Sequence, residues 1–529
     1  RRRRGRKGPI VRRAGAFLLS ALALAGCPSG GPTFAGLEDV PGAKKAPPWA
    51  ASQLVWRHRF GSFVERICEK GFGEPPTGEA RLSFDDRTEI PRLFPAYYWL
   101  TGDERVFAPM NALADEIDLF PKGYYACADT EHGTEPFYGL LAPLARLDPS
   151  NRKNCDRLAQ VARYLRNADP AVPAWYDPQT RHLRSMWFGT ERVDGSKNRA
   201  VDYPYNLRYA WVALAAADVC GDADAFAWAK EYLGEWAADI RANAGVCPSE
   251  ISIPDHKAGG KGGRWSLLAE NPNWCWEGYG FKSVRAIDVF TDMYRRTQDR
   301  AWLTPVKSHL QTLLRTGSDD EPAEAFRAGA WTRSSGAPRD NKGYFAGIFL
   351  KWRRFSNDSS LDEQMLRLCR KRVAARADEK GISALYAFVA YVLERDPARM
   401  EWALASALET VSLSQSKVME LPTRAGEGGF GVYGAMAVLS SAFGGYGIHE
   451  GQVPWMEVHY VRPDGKPGLP GGVAAWYRFH REPPDVLIYN GGIERVRVGI
   501  RAGSPRIEAG ETTWVEVGPG EEKAASPPR

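Results

Sequence analysis

Residues 208–242 read RYAWVALAAADVCGDADAFAWAKEYLGEWAADIRA. Two amphipathic patterns, Tyr209-Val212-Leu214-Ala217 and Phe226-Ala229-Leu233-Trp236, flank the triplet Cys220-Gly221-Asp222. Apolar residues at steps of two to four, recurring over three turns, give each pattern a helical apolar face. An aspartate between them suits an N-cap, because its carboxylate accepts a free amide proton at the start of the second helix. The stretch therefore reads as a helical hairpin.

The same signal recurs. Its other instances are Leu100-Thr101-Gly102-Asp103, Leu147-Asp148-Pro149-Ser150, Thr297-Gln298-Asp299, Ser356-Asn357-Asp358 and Glu394-Arg395-Asp396-Pro397. The helical pattern Phe107-Met110-Leu113-Ala114-Ile117 follows the first of these, and Val284-Ile287-Phe290-Met293 precedes the third. Six helix pairs at uneven spacing predict a helical repeat array. Connections of very different length suit a closed toroid with function on one rim better than a regular solenoid.

Beyond Leu421 the pattern changes. Gly-rich stretches at 426–434 and 444–451 lead into short alternating runs at 456–460, 486–489, 496–500 and 513–517, with a turn signal at Asn490-Gly491. The expected organisation is a mainly α protein: a helical toroid over 51–420, a small β-rich domain over 421–517, and a polar, disordered tail over 518–529.

With 44% apolar and 25% charged residues, the 529-residue chain has globular composition, which excludes disordered, collagenous and disulfide-scaffold classes. Aromatics are in excess, with 18 Trp, 21 Tyr and 22 Phe making 12% of the chain. The net charge of +6 does not point to nucleic acid. Residues 1–26 hold eight Lys and Arg and no acid, and +6 less those eight leaves −2 for the remainder, too little for a claim on phosphate.

Arg1 to Arg13 form a basic region, and Ala14 to Ala25 an apolar run too short for a stable bilayer span. The run ends in Leu24-Ala25-Gly26-Cys27, which resembles the bacterial lipobox, whose cysteine is lipidated. The resemblance implies a lipoprotein signal peptide over 1–27 and an exported protein, periplasmic or at the cell surface, anchored in the membrane through Cys27. An ordinary secretory signal is the alternative. Residues 28–50 are rich in Pro and Gly and read as a tether. Beyond Cys27, seven cysteines form no C-x-x-C or Cys/His cluster, so no zinc site is expected. Their odd number leaves at least one free thiol; Cys247 and Cys275 are candidates to pair, and buried free thiols are the alternative.

Six hairpins in an exported chain resemble the (α/α)6 toroid of bacterial polysaccharide lyases and glycoside hydrolases, over roughly 56–413. The resemblance rests on repeat architecture and on two segments described next. It implies a carbohydrate-active enzyme in which Tyr, His, Asn and Arg side chains carry elimination chemistry.

The first segment, Asp129-Thr130-Glu131-His132-Gly133-Thr134-Glu135-Pro136, precedes the apolar stretch 137–144. His132 and Glu135, three residues apart, share a helix face on which Glu can orient the imidazole. Asp129, Glu131 and Glu135 also supply the carboxylates a hydrolase needs. The competing reading is a helix start capped by Thr130 or Thr134. The second segment, Asp202-Tyr203-Pro204-Tyr205-Asn206-Leu207-Arg208-Tyr209, opens another helix. Asn206 and Arg208 can neutralise a uronate carboxyl while Tyr205 moves a proton. Its competing reading is packing by Tyr205 and Tyr209 with Arg208 in a structural ion pair. The third segment, 259–281, reads GGKGGRWSLLAENPNWCWEGYGF. Trp265, Trp274, Trp276 and Tyr279 suit sugar stacking, with Glu277 as an acid or contact residue. The loop 245–250 supplies another part of the same rim; the competing reading is an inter-hairpin loop tucked over the core. A weaker segment, 331–344, offers Trp331, Arg333, Arg339 and Asp340 to an anionic sugar, with a solvated loop as the competing reading.

The expected function is β-elimination of a uronic-acid polysaccharide. His132 and Tyr205 transfer protons, Asn206 and Arg208 hold the carboxyl, Glu131 and Glu135 complete the catalytic set, and Asp129, Tyr203 and the tryptophans bind substrate. A glycoside hydrolase using paired carboxylates, such as Glu131 or Glu135 with Glu277, is the alternative. A non-catalytic glycan-binding lipoprotein is the third reading. No cofactor or catalytic metal is expected, and a structural calcium is left open. The expected partners are an acidic polysaccharide and the membrane, not nucleic acid.

Overall fold

Each of the six turn signals joins two helices. The computed structural model describes residues 40–72, 88, 91, 94–119, 128–196, 200–245, 247–248, 250–254, 256–258, 286–316, 344–375, 382–420, 438–439, 458–478, 484–502 and 511–527. After α1 (Pro48–Lys70), the hairpins pair α2 (Phe94–Thr101) with α3 (Phe107–Asp115), and α4 (Thr130–Glu135) and α5 (Ala142–Leu147) with α6 (Arg152–Leu165). A π-helical turn, Pro136–Leu141, links α4 to α5. The remaining pairs are α7 (Arg208–Cys220) with α8 (Ala223–Ala242), α9 (Val289–Thr297) with α10 (Leu303–Thr316), α11 (Tyr344–Ser356) with α12 (Asp362–Ala375), and α13 (Ile382–Glu394) with α14 (Pro397–Glu420).

Five of the six turns share one device. The residue before the aspartate is left-handed: Gly102, Gly221, Gln298, Asn357 or Arg395. It turns the chain out of the first helix. The aspartate carboxylate then accepts an amide proton two or three residues ahead, from Arg105, Ala225, Ala301, Ser360 or Ala398. The turn at 148–151 differs: Asn151 precedes α6 and makes no side-chain cap.

The first helices of successive hairpins pack on one another, α5 on α7, α7 on α9, α9 on α11 and α11 on α13. The second helices do the same, α6 on α8, α8 on α10 and α10 on α12. The two layers differ in sequence for a physical reason. Arg208 through Ala216 of α7 are all buried, so α7 is nearly apolar all round. In α6 the buried Leu158, Val161, Ala162 and Leu165 form one stripe beneath a charged outer face. At the two ends of the array, α1 packs against α14 and against α2.

The long connections between hairpins carry small antiparallel pairings. Strand β1 (Ala128–Asp129) pairs with β4 (Trp187–Phe188), β2 (Tyr176–Asp177) with β3 (His182–Leu183), and β5 (Val201–Asp202) with β6 (Ile251–Ser252), which also pairs with β7 (Lys257–Ala258). Since each hairpin reverses the chain, these connections leave from the end opposite the aspartate turns.

Near the C-terminus lie two three-stranded antiparallel sheets. One has the order β13 (Glu522–Ala525), β10 (Asp485–Asn490), β9 (Val473–Arg478); the other has β12 (Thr512–Val517), β11 (Val496–Ala502), β8 (Val458–Val461). Four of these strands match the expected runs. Two departures correct the sequence reading. The tail is not disordered throughout: Glu522–Ala525 pairs with β10, because backbone pairing tolerates its polar side chains. The Asn490-Gly491 signal does fall between two strands, β10 and β11, which belong to different sheets and so form no hairpin. There the Asn490 side chain donates to the carbonyls of Glu494 and Val517, and Gly491 backs onto the chain at Gly42. That approach also draws part of the expected tether into the fold, where Val40 and Ala43 are buried and α1 begins at Pro48.

The sheets dock on the helices through backbone and rings. Gln53 exchanges two hydrogen bonds with the main chain of Ala475, and Trp99 donates to the Val458 carbonyl at 2.7 Å. Trp476 lies 6.2 Å from Trp49 and 5.7 Å from Tyr391. A disulfide joins Cys155 of α6 to Cys220 of α7, while Cys68 is an exposed free thiol. Cys247 is buried, and its candidate partner Cys275 lies outside the described residues. Among the described residues no helix is long and apolar enough to cross a membrane.

Candidate functional site

The two segments singled out in sequence meet. Residues 128–135 form β1 and α4, and residues 201–208 run from β5 through a 3-10 turn, Pro204–Leu207, into α7. Two contacts join them. The Thr130 hydroxyl donates to the Asn206 side-chain carbonyl, and Arg208 Nη2 lies 2.9 Å from Glu135 Oε1. Arg208 also sits over the Tyr205 ring, 4.3 Å from its centroid.

Burial decides what these groups do. Tyr205, Asn206 and Arg208 are 1%, 0% and 0% exposed, and Glu135 is 4% exposed. Asn206 spends its amide on Asp202 Oδ1 at 2.7 Å and the Ser185 carbonyl at 2.9 Å. Its oxygen accepts from Thr130. Glu135 is turned to Arg208. The side chains of Asp129, Glu131 and His132 lie outside the described residues. The Thr130 hydroxyl reaches Asn206, and Thr134 donates back to the Thr130 carbonyl at 2.5 Å. The arrangement is thus an internal brace between α4 and α7.

Asp202 is the hub beside that brace. Its carboxylate accepts from Asn206, from Trp236 Nε1 at 2.9 Å, from the Tyr232 hydroxyl at 3.2 Å and from the Leu183 amide at 3.3 Å. It also meets His182 Nδ1 at 2.8 Å. His182 Nε2 in turn lies 3.0 Å from Asp239 Oδ2, and His256 Nε2 lies 3.4 Å from Asp239 Oδ1. Burial opposes a charge on His182, but its hydrogen bonds to Asp202 and Asp239 outweigh that and bring its pKa up to about 9. The network runs from the buried brace to a partly open end, where Asp239 is 16% and His256 33% exposed.

Glu250 immediately precedes Ile251, the β6 partner of Asp202. Burial lifts its carboxyl from 4.5 to about 7, which keeps it protonated in part near neutrality, as acid–base chemistry requires. Deeper in the inner layer, Lys351 bridges Asp288 at 2.9 Å and Asp292 at 2.8 Å, and Trp211 donates to Asp292 at 2.9 Å. Burial holds Asp288 above the usual carboxylate range despite the ammonium beside it.

The expected sugar-stacking residues Trp265, Trp274, Trp276, Glu277 and Tyr279, with Trp331 and Arg333, lie outside the described residues, as does Cys27. Tyr203 is buried, 6.1 Å from Tyr205 between ring centroids. The sequence reading passed over His182, Asp239 and His256 because no two share a recognisable spacing. One signal was present: Glu235 and Asp239 are like charges one helical turn apart, a costly arrangement unless something cationic meets it. No protein-family model matches the chain, and no curated protein matches it.

Proposed function

We propose that the chain is an exported carbohydrate-active enzyme that cleaves a uronic-acid polysaccharide by β-elimination on the rim formed by the long connections. The observation that carries this reading is convergence. Segments 128–135 and 201–208, about 70 residues apart in sequence, share a brace, and the Glu250 loop adjoins it through β6. The packing of α1 against both α14 and α2 supports closure of the six hairpins into an (α/α)6 toroid. The Cys155–Cys220 disulfide supports export, since such bonds persist in oxidising compartments.

The burial of Asn206 and Arg208 changes their assignment within this proposal. They act as positioning residues that lock α4 to α7 and hold Asp202 in place. Neutralising the uronate carboxyl then falls to cations of the 331–344 segment, Arg333 and Arg339, with His132 retained for proton transfer, while Tyr205, equally buried beneath Arg208, joins the positioning residues. Aromatic residues of 259–281 stack on the sugar. Glu250 favours a second reading, glycoside hydrolysis, because a carboxyl protonated near pH 7 suits a general acid.

The test uses the purified protein on a panel of uronate-containing polysaccharides, following ultraviolet absorbance of a new C4–C5 double bond together with reducing-end release. Both signals, lost in His132→Ala and Arg333→Ala, are the expected result. Reducing ends without absorbance would transfer the assignment to hydrolysis and to Glu250. Binding without either signal would overturn both enzyme readings in favour of glycan capture.

A further inference from the structure

The polar network ends at a group of side chains that the polysaccharide reading does not use. His182 comes from β3, Asp239 from the last turn of α8, and His256 from the turn between β6 and β7, where it adopts a left-handed backbone with φ 48°. One donor atom from each lies within 4.8 Å of the others. We propose that His182, Asp239 and His256 form a three-ligand site for a divalent transition-metal cation of the zinc class, with a fourth position open toward solvent.

Three observations carry the assignment. The first is spacing. A tetrahedral zinc centre with bonds of about 2.0–2.1 Å separates its donors by roughly 3.3 Å. Here the Asp239 carboxylate meets both imidazoles, His182 Nε2 at Oδ2 (3.0 Å) and His256 Nε2 at Oδ1 (3.4 Å), and one donor atom from each residue falls within 4.8 Å of the others, so side-chain rotations would bring the three to ligand spacing. The second is the support behind the ligands. A metal-binding histidine commonly donates its other ring nitrogen to a carboxylate, which fixes ring and tautomer. Asp202 does this for His182 at 2.8 Å, and is itself held by Trp236, Tyr232, Asn206 and the Leu183 amide. The third is access. His182 is fully buried, whereas Asp239 and His256 are partly exposed, so the ligand atoms sit at a mouth rather than in a sealed core.

Ligand type selects the ion. Two imidazoles and one carboxylate suit zinc and its transition-metal neighbours, whereas calcium and magnesium demand oxygen donors. Glu235, one helical turn before Asp239, has an oxygen 3.9 Å from His256 Nε2 and can approach the fourth position. Arg181 faces the other Glu235 oxygen at 3.5 Å and competes for it. A cation here would tie β3, α8 and the β6–β7 turn together beside Asp202. The inference stands apart from the polysaccharide reading and survives its failure.

The test uses the full chain, stripped with a chelator and dialysed. Zinc chloride is titrated calorimetrically, and cobalt chloride is followed by visible absorption. The expected result is one equivalent of zinc, displacement of bound cobalt by zinc, and intense cobalt bands of four- or five-coordinate type. His256→Ala and Asp239→Asn should each weaken zinc binding by at least ~10-fold, since even partners outside the ligand shell are worth about 10–100-fold. His256 is partly exposed on a turn, so its replacement leaves the fold intact by circular dichroism; Arg181→Gln should bind zinc as well as or better than the parent. Failure to take up zinc, uptake unchanged in both ligand variants, or uptake abolished by Cys68→Ser would each overturn the proposal. A preference for calcium or magnesium would do the same.

Discussion

At the scale of single residues, Asp202 and Glu250 illustrate opposite uses of burial. Asp202 is fully buried but collects its hydrogen bonds from five residues around it, so its charge is solvated by the protein. Removing it in Asp202→Ala strands the buried Trp236, Tyr232 and His182 donors. Breaking such a buried pair costs about 3–5 kcal/mol, which urea denaturation would register as a lowered midpoint. Asp202→Asn keeps the shape and should cost less. Glu250 has burial as the cause of its shift. Its proton is held more tightly in the folded chain than in the unfolded one, so stability falls as pH rises from about 4.5 to about 7 and levels off above that. Glu250→Gln should therefore match the parent protein near pH 4 and exceed it at pH 8, read from urea midpoints at the two values. A gain at pH 4 that vanishes at pH 8 would contradict the assigned direction.

At the scale of elements, the repeated turn does most of the organising. A left-handed residue followed by a capping aspartate satisfies the free amides of the next helix while reversing the chain. Asp358 adds an ion pair with Lys307 at 2.6 Å, and that hydrogen-bonded ammonium holds its carboxyl down to about 2. A depressed carboxylate stabilises above its unfolded value of 3.8 and loses that contribution as pH falls toward 2. Asp358→Ala should cost about 1 kcal/mol at pH 7, the usual worth of a cap. It should also flatten the acid limb of a stability–pH curve. The Cys155–Cys220 bond links α6 to α7 across 65 residues. A loop of that size corresponds to about 4 kcal/mol in the chain-entropy account. Dithiothreitol should accordingly lower the thermal midpoint, and Cys155→Ala should reproduce the loss without reductant.

At the scale of the molecule, the helices and C-terminal sheets share an interface instead of standing as separate bodies. Gln53 and Trp99 reach strand backbone, Trp476 packs between Trp49 and Tyr391, and Gly102 and Gly468 let the first hairpin turn approach the β8–β9 loop. A β-carbon on Gly102 would collide with the Pro467 carbonyl. Unfolding should thus be one transition, with helical circular dichroism and tryptophan fluorescence melting together. Trp476→Ala, which opens a cavity in that interface, should destabilise by about 3–5 kcal/mol and lower both melts equally. Two separated transitions in the parent protein would show that the sheets fold on their own.

The hairpins were legible because their information is local: an apolar stripe, a turn and a capping aspartate fall within a few residues of one another. The same holds for four of the C-terminal strands, whose alternation is visible in short runs. The first three candidate segments were found for the same reason, as unusual local clusters of acid, ring and cation. What those clusters do was decided by the tertiary structure. Burial turned Asn206 and Arg208 inward, and strand pairing took in β9, whose neighbour is the next strand β10, and β13, which returns to β10 past two strands of the other sheet. His182, Asp239 and His256 carry no spacing that links them, since β3, α8 and the β6–β7 turn are joined only by packing. Sequence by itself thus determined which residues become helices and where they turn. Their long-range neighbours, and with them every pairing of charges in the site, arose from how those helices and connections stack.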